Sequence, residues 1–312
     1  MEAQRDRAVG ALVGLAVGDA IGTSLEFSER DTNPALTDMV GGGPFSLEPG
    51  QWTDDTAMAL ALGDSLLVHG CFDEGDLMSR FWAWYDHGAY SCTGACFDIG
   101  MATRDALMDW KRSGNPVAGN TNPMSAGNGS LMRLAPVPIR YWRRRDVLAD
   151  IAARQSRTTH GAEEAVDACV FFGRLLADAI AGVPADPLRG GAGHSGLSPA
   201  ITAMAHGEWR GKARNMIHSS GYVVHTLEAA LWCVDQSRSF AEAVLIAANL
   251  GDDADTVAAV TGQLAGAIYG RDAIPRHWRE RLAWTARIEA IAHELFDASL
   301  REVILHRPPS CD

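Results

Sequence analysis

Lysine is almost missing from this chain of 312 residues: of its 27 basic residues only Lys111 and Lys212 are lysines. We read that bias as genome composition, pointing to a GC-rich bacterium. Positive charge is short overall, with a net charge of -12. That excludes general binding to a nucleic-acid backbone, where basic side chains must neutralise phosphates. An acidic balance suits a cation instead. Cys-x-x-Cys pairs are absent, and the six cysteines (Cys71, Cys92, Cys96, Cys169, Cys233 and Cys311) are too sparse for a disulfide scaffold. The reducing cytoplasm is therefore the expected compartment. Long unbroken apolar runs are lacking too. The start, "MEAQRDRAVGALVGLAVGDAIG", is apolar, but Asp19 and its glycines interrupt it short of a membrane span, and a signal peptide is the weaker reading.

Alternating strand patterns are scarce, whereas helical spacing recurs, first at Val9, Leu12, Val13, Ala16 and Val17 and then at Met58, Leu62 and Leu66. With 47 % apolar and 21 % charged residues, the chain has the balance of a folded, water-soluble protein. The expected fold is all-α, without a tandem repeat. No linker is marked strongly enough to split residues 1–312, so one domain is expected, although the loop "GVPADPLRGGAGHSGLSP" is the best candidate for an excursion. The polar run from Ser113 to Ser130 is long for a mere connection and is expected to line a site. Glycines recur every fourth residue at Gly10, Gly14, Gly18 and Gly22, and again at Gly262, Gly266 and Gly270. Glycine costs about 1 kcal/mol against alanine inside a helix, so the repetition suggests close backbone approach, with both ends of the sequence meeting in the core. A Gly/Ala-rich composition is the plainer alternative.

Chemistry concentrates at two helix starts. "WTDDTAMAL" offers Thr53, Asp54, Asp55 and Thr56; "GDDADTVAAV" offers Asp252, Asp253, Asp255 and Thr256. Capping a helix needs one such side chain. Adjacent carboxylates against apolar sequence repel one another unless solvated or neutralised, and a divalent cation resolves the conflict. Carboxylate and hydroxyl oxygens suit Mg²⁺, Mn²⁺ or Ca²⁺ rather than zinc. Spacing alone leaves metal binding and two acidic caps both open. Asp19 and Glu26, in "GDAIGTSLEF", read by themselves as a residue that ends or caps a helix and a surface carboxylate.

Taken in order, "GALVGLAVGDAIGTSLEF", "WTDDTAMAL", "GNGSLMR", "TTHG", "GYVVHTLEAALW" and "GDDADTVAAVTGQLAGAIYG" make the chain resemble the ADP-ribosylglycohydrolase family, including the dinitrogenase reductase activating glycohydrolases. The resemblance implies a compact, orthogonal all-α bundle around a two-metal centre. Thr53, Asp54 and Asp55 on one side, and Asp253, Asp255 and Thr256 on the other, are implied to hold two Mg²⁺ or Mn²⁺ ions. Asp252 stands where the family has glycine and is not counted as a ligand. Glu26 and Asp98 become the candidate acid or base residues, with Glu26 expected on a mobile segment. Gly127, Asn128, Gly129 and Ser130 are implied to surround the diphosphate and ribose, and His160, Gly221 and Tyr222 to contact ADP-ribose. Without the resemblance, the glycines would read as a turn, His160 and Tyr222 as core residues, and Asp98 as a cap.

The activity so implied is hydrolysis of the bond joining ADP-ribose to a target, with an arginine-linked protein as the first expectation. ADP-ribose is the product and a cognate ADP-ribosyltransferase a candidate partner. Two other readings stay open at this point: a non-catalytic immunity protein that occludes a toxin on the same scaffold, and a two-metal nucleotide phosphoesterase.

Overall fold

Helical periodicity in the sequence is realised as a chain of α-helices in the computed structural model, which describes residues 1–68, 72–183 and 196–304. Residues 184–195 of the third loop, Cys71 and Cys311 lie outside the described residues. The helices are α1 (Glu2–Gly22), α2 (Asp54–Val68), α3 (Glu74–His87), α4 (Met101–Ser113), α5 (Pro136–Tyr141), α6 (Arg145–Arg157) and α7 (Glu163–Ala181). They continue as α8 (Pro199–His206), α9 (Val223–Asp235), α10 (Phe240–Ala248), α11 (Ala254–Tyr269), α12 (Arg276–Arg281) and α13 (Thr285–Ile304). Among the described residues there is no β-strand, only isolated bridges such as Gly127 with Tyr222. The all-α expectation is what the structure shows.

The two glycine stripes meet. Gly10 faces Gly266, Gly14 faces Gly262, Gly18 faces Ala258 and Gly22 faces Ala254, so α1 and α11 run antiparallel in backbone contact. A Cβ on Gly14 would lie 2.2 Å from the Gly262 carbonyl oxygen, and one on Gly18 would lie 2.1 Å from that of Ala258. No side chain fits such a gap, which explains why glycine is tolerated inside two helices despite its propensity cost. The α1 helix is long and apolar enough to cross a membrane, yet 89 % of its most apolar window is buried inside the protein. It is packed by α11, α13, α10 and α7 as a core helix.

This pairing places the site. Because α1 and α11 are antiparallel, the end of α1 lies against the start of α11, and a Cβ on Gly22 would come within 2.4 Å of the Asp255 Cα. Residues just after α1 and residues opening α11 are thereby delivered to one end of the core. The loop before α2 reaches the same end, since Asp19 of α1 binds its first residues.

Candidate active site

The α2 helix starts on a cap supplied by another helix. The Thr53 carbonyl accepts the first helical bond, from the Ala57 N–H, and an N-cap side chain would ordinarily take the amide three residues on. Here Asp19 takes it: its carboxylate accepts from the Thr56 N–H at 3.0 Å and the Thr56 hydroxyl at 2.6 Å. It also accepts from the Thr53 N–H at 2.8 Å and the Thr53 hydroxyl at 2.9 Å. Asp19 is fully buried, and burial raises its carboxyl to about 6 despite these bonds. Read from sequence as ending or capping a helix, Asp19 does cap one, but it is α2 and not its own helix, and it thereby supports the site. The available signal was a single carboxylate within an otherwise apolar stripe.

With Thr53 and Thr56 held, Asp54 and Asp55 project from the first turn of α2 toward the first turn of α11. The Thr53 hydroxyl lies 3.3 Å from Asp255 Oδ2, and the Thr256 hydroxyl donates to Asp55 Oδ2 at 3.3 Å. Carboxylate oxygens of Glu26, Asp98 and Asp255 lie within 4.8 Å of one another. A cavity of about 560 Å³ is lined by Glu26, Asp54, Asp98, Asp253, Asp255 and Thr256 among others, while Thr53 and Asp55 are buried outside the lining and bond to its Asp255 and Thr256. The sequence-predicted acidic residues from four separate stretches therefore converge, with Glu26 and Asp98 grouped around Asp255.

Burial and mutual repulsion dominate the electrostatics. Burial first, then neighbouring carboxylates, pushes Asp255 up to about 7 and Asp98 up to about 9. Glu26, Asp54 and Asp55 are driven well above the carboxylate range by the same causes, and Asp253 is raised chiefly by burial. Asp55 Oδ1 and Glu26 Oε2 are buried without a hydrogen-bond partner. Orphaned acceptors among clustered carboxylates are the donor set a hard divalent cation needs, and the residues present fit one. Asp252 is exposed, with φ at +53°. A backbone in that region favours glycine, which accounts for the glycine expected there.

The segment carrying Glu26 is clamped. The Phe27 N–H donates to the Asp252 carbonyl at 2.7 Å and the Asp252 N–H to the Ser28 carbonyl at 2.8 Å. Three residues on, the Arg30 guanidinium donates to the carbonyls of Leu250, Arg214 and Ile217. These bonds link the segment expected to be mobile to the loops before α9 and α11.

The ligand-side residues divide. Asn128 donates to Asp253 Oδ2 at 2.6 Å and to the Thr226 hydroxyl at 2.8 Å, so its amide joins the acidic centre to α9. Gly127, Gly129, Gly221 and His160 line the cavity with it. A Cβ on Gly129 would lie 2.7 Å from His160 Cε1, so glycine there makes room for the imidazole. His160 is buried, its Nδ1 2.8 Å from the Thr159 hydroxyl, and burial with the nearby Arg133 cation lowers it to about 3, leaving a neutral ring. Tyr222 donates its hydroxyl to Glu164 Oε2 at 2.6 Å and lines an adjoining cavity of about 830 Å³, which shares Gly127 and Gly221 with the first. Ser130 departs from expectation. Its hydroxyl is fully buried against Ser156 and Cys169, where it steadies the turn and does not reach the cavity lining. Arg133, which the sequence reading did not single out, is buried in the same motif, donating to Gln155 and lying 4.6 Å over the Phe81 ring.

This arrangement can be compared with known proteins. The model of the ADP-ribosylglycohydrolase family matches residues 1–303. The chain belongs to the ADP-ribosylglycohydrolase family. Among relatives, it is 50 % identical over 294 residues to ADP-ribosylarginine hydrolase Tri1 of Pseudomonas putida, covering 94 % of this chain and 78 % of that one. It is 32 % identical over 288 residues to ADP-ribosyl-[dinitrogen reductase] glycohydrolase of Rhodospirillum rubrum, covering 89 % and 90 %. A solved ADP-ribosylglycohydrolase-related protein complex superposes with a TM-score of 0.84 at 42 % identity, covering 96 % of this chain and all of that one. As a member of the ADP-ribosylglycohydrolase family the chain is a hydrolase, and its acidic centre lies in the cavity described above.

Proposed function

We propose that this protein releases ADP-ribose from arginine side chains of modified proteins, with two divalent cations, Mg²⁺ or Mn²⁺, in the acidic centre. The observation that carries the reading is the convergence of Glu26, Asp98 and Asp255 within 4.8 Å at a cavity also lined by Asp54, Asp253 and Thr256. Relatives named ADP-ribosylarginine hydrolase support arginine as the linkage.

Thr53, Asp54 and Asp55 would hold the ions from the α2 side and Asp253, Asp255 and Thr256 from the α11 side. Bound there, such ions lower the pKa of water and orient ribose hydroxyls. The protein's own groups do the rest. Asp19 accepts from the Thr53 and Thr56 hydroxyls, and so holds the Thr53 oxygen beside Asp255, where its lone pairs would face a cation. Asn128 orients Asp253. Glu26 and Asp98, in the cavity lining, would exchange a proton with the attacking water and with the departing guanidine nitrogen. The adjoining cavity beyond Gly127 and Tyr222 has the size for the nucleoside end of ADP-ribose. The free thiols of Cys92, Cys96, Cys169 and Cys233 accord with a reducing cytoplasm.

Purified protein incubated with arginine-linked and serine-linked ADP-ribosyl peptides, with Mg²⁺, Mn²⁺ or chelator, tests the reading. Free ADP-ribose and intact peptide from the arginine substrate, lost on chelation, is the expected result. AMP as product would make the protein a phosphoesterase, and no turnover with tight binding to an ADP-ribosyltransferase would make it an occluding immunity protein.

A further inference from the structure

At the mouth of the cavity the carboxylates give way to phenylalanines. Phe27 directly follows Glu26, Phe97 directly precedes Asp98, and Phe45 stands between them, its ring centroid 6.4 Å from Phe27 and 5.2 Å from Phe97. Phe27 lines the cavity yet is 69 % exposed. Burying such a ring is worth about 1.5–3 kcal/mol, so leaving it in water forgoes stability. Its backbone adds a second cost, with φ at +56°, a region where a bulky L-residue is a true outlier. Asp98 is held at φ +59°. The reciprocal hydrogen bonds between Phe27, Ser28 and Asp252 hold the first of these conformations in place, as expected where strain serves a ligand clamp.

We infer that Phe27, backed by Phe45 and Phe97, is an aromatic platform that receives the guanidinium of the acceptor arginine, and this rests on the function proposed above. With the anomeric end among Glu26, Asp98 and Asp255, and the nucleoside end toward Gly127 and Tyr222, the acceptor side chain has the open mouth beside Phe27 as its way out. A guanidinium is planar and weakly hydrated, and it is drawn to aromatic faces. Glu26 and Asp98, the chain neighbours of Phe27 and Phe97, bring carboxyl oxygens beside the platform that can accept guanidinium hydrogen bonds. A serine acceptor offers neither the plane nor the cation, so the platform selects for arginine.

The test compares the wild type with Phe27→Ala and Phe27→Trp on an ADP-ribosyl-arginine peptide, alongside calorimetric affinity for free ADP-ribose. Phe27→Ala is expected to raise KM about five- to thirtyfold, with kcat and ADP-ribose affinity each within about twofold. Phe27→Trp is expected to restore KM. An unchanged KM in Phe27→Ala overturns the platform, and so does an equal loss of affinity for free ADP-ribose, which would place the ring against the nucleotide. If the wild type releases no ADP-ribose, the proposed function fails instead. Calorimetric affinities for the same peptide then read the platform directly: equal binding by wild type and Phe27→Ala overturns it, and a selective loss of peptide binding upholds it.

Discussion

Asp19 accepts both the backbone N–H and the hydroxyl of Thr53, at 2.8 and 2.9 Å, from a helix 34 residues earlier in the chain. One carboxylate thus caps α2 and orients a candidate metal-binding hydroxyl. Asp19→Ala removes a buried acceptor from four donors. A loss of about 3 kcal/mol or more is expected in urea unfolding, together with weaker cation affinity. A loss below about 1 kcal/mol would mean the cap is dispensable.

The acidic centre predicts opposite effects of one substitution with and without cation. Asp55 is buried with an orphaned oxygen and raised by burial and by the charges of Asp19 and Asp255. Asp55→Asn relieves that repulsion and is expected to raise the melting temperature of chelated protein while abolishing turnover. The gain in melting temperature that Mg²⁺ or Mn²⁺ gives the wild type, by binding only the folded state, is expected to shrink or vanish. An equal gain in both proteins would remove Asp55 from the metal site.

Glu26→Gln keeps shape and removes proton exchange. Single-turnover hydrolysis is expected to fall at least about a hundredfold, while ADP-ribose affinity changes far less. A full rate would assign the proton to Asp98, and a lost affinity would make Glu26 a ligand anchor.

His160 sets an acid limit on stability. Its folded pKa, about 3, lies below the ordinary 6.5, so between those values the unfolded chain binds the extra proton. Stability from this residue is complete above about pH 6.5 and is lost as pH falls toward 3. From pH 7 to pH 5 the loss amounts to about 2 kcal/mol. His160→Gln should lack this component, giving a shallower fall in urea-derived stability over that window. Identical slopes would show that the imidazole is protonated in the folded protein.

Two glycines inside helices should answer oppositely to alanine. At Gly14 the new Cβ meets the Gly262 carbonyl oxygen at 2.2 Å, so a loss of about 3 kcal/mol or failure to fold is expected. At Gly173 in α7 the nearest atom is a Leu148 methyl at 3.4 Å, and Gly173→Ala is expected to be neutral or to stabilise by up to about 1 kcal/mol. Thermal melts of the two variants check the pair.

The sequence by itself determined the helical class, because 3.6-residue periodicity and scarce alternation are local properties. It also marked the glycine stripes and the two acidic helix starts, since glycine inside a helix and adjacent carboxylates are each costly enough to need a reason. Tertiary structure decided what those features face. The register of α1 against α11 was required to carry Gly22 to Ala254 and so Glu26 to Asp255, a contact across more than two hundred residues that no local pattern encodes. Side-chain direction decided the rest. Ser130 and Asn128 share one turn, yet one hydroxyl turns inward to Ser156 while the neighbouring amide reaches Asp253. Asp19 read as no more than an end or cap of a helix because its four donors lie beyond α1, and only the packed core brings them to it.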